Sequence, residues 1–175
     1  MQRVLVVYHS RDGHTRQLAH DIAQACGADV EELRLAHGRA GPASYLRCLF
    51  EAVLHRHPAI VAPSHVPRPD DLLVVGTPVW GGNVAGPVRS YLRERGTVAK
   101  KVAFFCTYGG SGQQKVLRDL ETLCQREPVA TLALTDTQCA PGAHRDELAQ
   151  FVRRLGSRSE PAAAQGGGAV GLRPG

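Results

Sequence analysis

Two hydrophobic rhythms alternate along this chain. Five apolar, β-rich segments recur, at residues 3–8, 30–35, 71–77, 101–107 and 129–135, and all but the second are the nearly continuous apolar runs of strands buried on both faces. Between most of them the apolar positions recur at helical spacing. Leu18, Ile22 and Cys26 precede Gly27, which predicts a helix closed by a glycine C-cap. Tyr45, Leu46, Leu49, Phe50, Val53 and Leu54 predict a second helix, and Val88, Tyr91 and Leu92 a third. Val116, Leu117, Leu120, Leu123 and Cys124 predict a fourth, and Leu148, Phe151, Val152 and Leu155 a fifth. Strands alternating with helices imply parallel pairing through right-handed crossovers, with helices on both faces of one sheet. The expected fold is a doubly wound α/β three-layer sandwich around five parallel strands.

The punctuation fits this scheme. Residues 55–69 hold Pro58, Pro63, Pro67 and Pro69 and predict a surface connection into the third strand. After Leu155 the chain has almost nothing to bury, so the folded domain is expected over 1–155, with a disordered Gly/Ala/Pro-rich tail over 156–175. No internal repeat is visible. The 175 residues, 43% of them hydrophobic, suffice for one domain with a real core. No apolar stretch approaches the roughly 20 residues that span a bilayer, and no signal-peptide pattern opens the sequence, so a cytoplasmic protein without membrane contact is expected. Five cysteines, odd in number and without CxxC spacing, argue against a disulfide framework or a zinc finger. The net charge of +5 is spread along the chain rather than gathered in a block, which gives no reason to expect nucleic-acid binding.

In an open α/β sheet, ligands bind beyond the carboxyl ends of the strands, where the strand order reverses. The sequence is unusual at three such places: HSRDGHT after the first strand, TPVWGGNVAGP after the third and TYGGSG after the fourth. In the first, Ser10 and Thr15 supply hydroxyls, Gly13 permits a tight turn, and the helix starting near Thr15 offers unpaired amides to a terminal phosphate. Helix capping by Asp12, Ser10 or Thr15 would explain the same residues. In the second, Trp80, the sole tryptophan, can cover a flat ring beside the pliant Gly81 and Gly82. In the third, Tyr108 offers another aromatic surface, and Gly109, Gly110 and Gly112 can turn amides toward carbonyl oxygens. Packing under a loop for Trp80, or a surface turn for Tyr108, would serve as well for either alone. A phosphate cradle with two aromatic walls fits flavin mononucleotide.

The sequence YHSRDGHT, then VVGTPVWGGNVAGPVRSYL, then KKVAFFCTYGGSG resembles the flavodoxin-like family, over nearly the whole span from Val4 to Leu155. The resemblance implies a sheet of order 2-1-3-4-5 and bound FMN, with Ser10, Arg11, Asp12, Gly13, His14 and Thr15 around the phosphate. Pro78, Val79, Trp80, Gly81 and Gly82 would line one side of the isoalloxazine, and Thr107, Tyr108, Gly109 and Gly112 the other. It also implies that the backbone at Trp80, Gly81 and Gly82 offers a carbonyl to the N5 hydrogen of the reduced ring. Asp12 stands where the family usually has Thr or Ser. A carboxylate there must point away from the phosphate or pair with Arg11 or His14. The same R-D-G-x-T form is similar to the phosphate loop of flavodoxin-type protoporphyrinogen oxidases. Electron-carrier flavodoxins are typically acidic, whereas this chain is basic, which favours an acidic partner or an anionic substrate.

Other chemistries fit less well. No GxGxxG follows the first strand, and GxxxxGK[ST] does not occur. A phosphoreceiver needs an Asp after the third strand, where Thr77 and Pro78 stand. Cys106 reads as core packing, since the phosphatases of similar architecture carry their cysteine after the first strand. His55 and His57 are two apart, on different sides of a helix, and make a poor metal pair. The expectation is an FMN-binding redox protein that transfers electrons with a redox protein partner. An NAD(P)H-dependent quinone reductase using a small electron acceptor, a protoporphyrinogen-oxidase-like flavoenzyme and a flavin-free interaction module are the alternatives.

Overall fold

The computed structural model describes residues 2–36, 58–140 and 142–157. Strand β1 (Val4–Tyr8) leads into helix α1 (His14–Cys26) and edge strand β2 (Asp29–Glu32). After the segment at 58–71 follow β3 (Leu72–Trp80), the short β4 (Asn83–Val84), α2 (Gly86–Arg95), β5 (Lys101–Tyr108), α3 (Gln113–Cys124), β6 (Thr131–Thr135) and α4 (Arg145–Ser157). The second expected helix, at Tyr45 to Leu54, lies outside the described residues, as do His55 and His57. Helix α4 runs through Ser157, two residues beyond the expected end of the folded part, and 158–175 also lie outside the description.

The sheet order is β2-β1-β3-β5-β6, parallel throughout, with β4 paired antiparallel to β3. Counted over the five parallel strands alone, this is the expected 2-1-3-4-5. The sixth strand was not foreseen. Residues 78–84 read as a loop because of Pro78 and two glycines, yet β3 continues to Trp80 and folds back, pairing Val79 with Val84 and Trp80 with Asn83. Gly81 and Gly82 have φ of 56° and 71°. Positive φ at both central positions is what a two-residue type I′ hairpin turn requires, and Gly-Gly supplies it without steric cost.

Each central strand is buried on both faces, which explains its continuous apolar run. Leu5 and Val7 of β1, Leu73 and Val75 of β3, and Val102, Phe104 and Cys106 of β5 pack with Val88, Tyr91 and Leu92 of α2 and Val116 and Leu120 of α3. The intervening residues Val6, Tyr8, Val74, Ala103 and Phe105 pack on the opposite face with Leu18 and Ile22 of α1 and Phe151 and Leu155 of α4. The period of two along the strands divides the core into these two layers. Gly27, at φ 62°, closes α1 as expected. Arg3 ties the amino ends of the strands together, pairing with Asp29 at 2.8 Å and with the buried Asp71 at 2.9 Å.

Beyond β2 the chain pairs with itself. Leu35 bridges Ile60 antiparallel, with Ala36 N donating to Ala59 O at 2.9 Å and Val61 N to Arg34 O at 2.8 Å. The proline-rich connection is therefore partly ordered along the sheet edge rather than purely a surface loop.

Candidate functional site

The three unusual loops meet at the carboxyl edge of the sheet, and specific contacts join them. Thr15, in the first turn of α1, and Thr107, near the end of β5, are both buried, and their hydroxyls hydrogen-bond at 2.8 Å. Gly112 precedes α3 at φ 100° and lies so close to the β3–β4 turn that a Cβ on it would stand 2.8 Å from the Gly82 Cα. His9, at the end of β1, sets its ring edge-to-face against Trp80, with centroids 5.5 Å apart and planes at 87°. First, second and third loops are thus held to one another by a hydroxyl pair, a backbone contact and an aromatic contact.

The first loop has the form of an anion cradle. The Ser10 hydroxyl accepts from the Gly13 amide at 3.2 Å and folds the loop back on itself. Gly13, at φ 96°, is the N-cap of α1, and no side chain caps the helix. Capping by Asp12, Ser10 or Thr15 is therefore not what these residues do. The first intrahelical bond runs from Gln17 N to Gly13 O at 2.9 Å, so the amides of His14, Thr15 and Arg16 have no acceptor within the helix. A Cβ built on Gly13 would meet nothing within 4 Å. Arg11, Asp12 and His14 are exposed.

In the second loop Pro78, Val79 and Trp80 are partly exposed and Gly81 is open to solvent. Thr77, fully buried, organises the turn behind them by accepting from Ala85 N at 3.0 Å and donating to Pro78 O at 2.9 Å. The hairpin is less free than two glycines suggest. The Asn83 side-chain amide donates to the Gly81 carbonyl at 2.8 Å, and the Asn83 Oδ1 accepts from the Lys115 ammonium at 2.9 Å. In the third loop Tyr108 is half-buried beside its β6 partner Thr135, and Gly109 and Gly110 are exposed.

Sequence reasoning missed four residues here: His9, Thr77, Asn83 and Lys115. His9 donates from Nδ1 to the Leu33 carbonyl at 2.8 Å and is buried. That burial lowers its basicity; the Leu33 bond and the charge of Glu32 oppose the shift, and Arg16 adds to it. The one available signal was position, since His9 and Asn83 directly flank loop residues already singled out. Cys106 is fully buried in the core, and burial pushes its thiol up to about 12, so it is no nucleophile at neutral pH. Among the described residues no group of three His, Cys, Asp or Glu could hold a metal ion, and no helix is long and apolar enough to cross a membrane.

This arrangement of layers, strand order and edge site is the flavodoxin-like fold. Among solved structures, the chain is similar to a flavoprotein in complex with FMN from Lactobacillus acidophilus, at 20% identity and a TM-score of 0.64 over 79% of this chain and 96% of that one. It is also similar to a WrbA-like flavodoxin from Agrobacterium tumefaciens, at 16% identity and a TM-score of 0.56 over 87% and 94% of the two chains. A curated NAD(P)H dehydrogenase (quinone) from Acidithiobacillus ferrooxidans is 33% identical over 107 residues, 56% of this chain and 49% of the relative. The chain thus spans about half the length of that relative. No family model matches it.

Proposed function

We propose that the protein holds FMN noncovalently along the carboxyl edge of its sheet and serves as a redox protein that transfers electrons. The observation that carries this reading is the meeting of three loops of the right chemistry: an uncapped helix start at a glycine turn, an aromatic hairpin and a glycine-rich strand end. Ser10, Arg11, Asp12, Gly13, His14 and Thr15 hold the phosphate. The free amides of the first turn and the positive end of α1 supply most of the attraction. Asp12 is exposed, so solvent and salt screen its charge. Pro78, Val79, Trp80, Gly81 and Gly82 line one side of the ring, and Thr107, Tyr108, Gly109 and Gly112 the other. When bound, the flavin supplies the one- and two-electron chemistry, and the protein orients it and tunes its potential.

The relative from Acidithiobacillus ferrooxidans favours a second reading, an NAD(P)H-dependent quinone reductase. The absorption spectrum of the purified protein, followed by release and identification of any flavin, tests the shared premise. A flavin spectrum with FMN released is expected. A colourless protein that takes up no added FMN would sink both readings. Steady NAD(P)H oxidation with a quinone by the isolated protein marks the enzyme, and reduction solely through a separate reductase marks the carrier.

A further inference from the structure

The β3–β4 turn can exist in two forms. Of the two favoured two-residue hairpin turns, type I′ has positive φ at both central residues and type II′ at the first alone. They interconvert by rotation of the central peptide, here between Gly81 and Gly82. Trp80 and Asn83 can therefore stay paired while the Gly81 carbonyl changes face. Both residues being glycine, neither form meets a Cβ penalty. The structure holds the first form, with φ of 56° and 71°.

Something specific selects that form. The Asn83 side-chain amide reaches back to the Gly81 carbonyl at 2.8 Å, a bond that rotation of the peptide would break. Asn83 is buried, 9% exposed, so its side chain has little freedom to follow. It is oriented in turn by Lys115, whose ammonium donates to Asn83 Oδ1 at 2.9 Å and to Asp119 Oδ2 at 2.6 Å. The lysine also fixes which end of the Asn83 amide faces Gly81, because an ammonium donates only and so must meet the oxygen. The chain from Asp119 through Lys115 and Asn83 to the Gly81 carbonyl joins α3 to the hairpin tip.

We propose that Asn83, seated by Lys115, is a latch on the Gly81 carbonyl that sets how readily a flavin bound at this edge accepts its first electron. The inference rests on the FMN reading above and identifies Asn83 and Lys115 as positioning residues. One-electron reduction adds an electron from a reductant, dithionite in the test below, and a proton from solvent, and it gives the ring a new N–H donor. The carbonyl at the hairpin tip can accept from that donor once the peptide rotates. While the latch holds, that rotation costs the Asn83 bond, so the latch favours the oxidised state.

Removing the latch should therefore ease the first reduction. Potentiometric titration of the FMN-loaded protein with dithionite should show a higher first-electron potential in Asn83→Ala than in wild type. A tenfold shift in the one-electron equilibrium corresponds to ~59 mV. Lys115→Met, a change at a side chain about half exposed to solvent, should shift it in the same direction by less. An unchanged or lowered potential in FMN-loaded Asn83→Ala overturns the proposal. The flavin-free protein gives a second readout, the φ-dependent NMR couplings of Gly82. Wild type should report one positive-φ form and Asn83→Ala a mixture, and couplings unaltered by the substitution overturn the latch itself. If the wild-type protein takes up no FMN, the redox half of the proposal falls with the flavin reading, and the couplings alone decide whether Asn83 latches the turn.

Discussion

His9 shows how much one side chain can be asked to do at this edge. It is enclosed between the end of β1, the Leu33 carbonyl and the Trp80 ring, and there burial favours the neutral imidazole. Its basicity in the folded protein thus lies below that of the unfolded chain, where an imidazole titrates at about 6.5. As pH falls through that value, the unfolded chain takes up the proton first, and folding loses stability; above it the contribution is fully present. Chemical unfolding at about pH 7.5 and about pH 5.5 should show a larger loss of stability in wild type than in His9→Gln. Equal losses would show that some other group governs the acid limb. Only its place at the head of HSRDGHT marked this histidine in the sequence, because its environment is assembled from segments distant in the chain, at Leu33 and Trp80.

At the scale of elements, parallel pairing leaves little room between β3 and β5. Gly76 lies opposite Phe105 in the register, and a Cβ at position 76 would fall within the Phe105 ring. Both residues sit in the interior, so neither backbone nor ring has open space to move into. Overpacking of this kind typically costs about 1–3 kcal/mol. Gly76→Ala should lower the denaturation midpoint accordingly, and Gly76→Ala combined with Phe105→Leu should recover part of the loss. A Gly76→Ala protein as stable as wild type would mean the ring is not fixed where it stands. The same elements show what the sequence made legible. Long apolar runs at 71–77 and 101–107 announced buried parallel strands because both faces select apolar residues. The β3–β4 hairpin was hidden because a two-residue strand has no periodicity, and its glycines signal flexibility and a type I′ turn equally well. The three loops of the candidate site could be read from composition. Their mutual contacts could not, since the Thr15–Thr107 pair spans 92 positions in sequence.

For the molecule as a whole, charge and edges decide what it meets. The net charge of +5 attracts acidic partners at long range, and salt shortens that reach from roughly 30 Å at 0.01 M to about 8 Å at 0.15 M. Electron exchange between the FMN-loaded protein and an acidic protein acceptor should therefore slow as salt is added over that interval. Stopped-flow rates that rise with salt would show that the docking face is locally acidic despite the net charge. The strip beyond β2 governs a different encounter. Along it the chain pairs Leu35 with Ile60, while Pro58 and Pro63 stand on either side of the pairing segment. Neither proline can donate a backbone hydrogen bond, so the strip cannot lengthen into a template on which a second molecule could add a strand. The proline-rich segment thus gives this border of the sheet a built-in guard against edge-to-edge self-association.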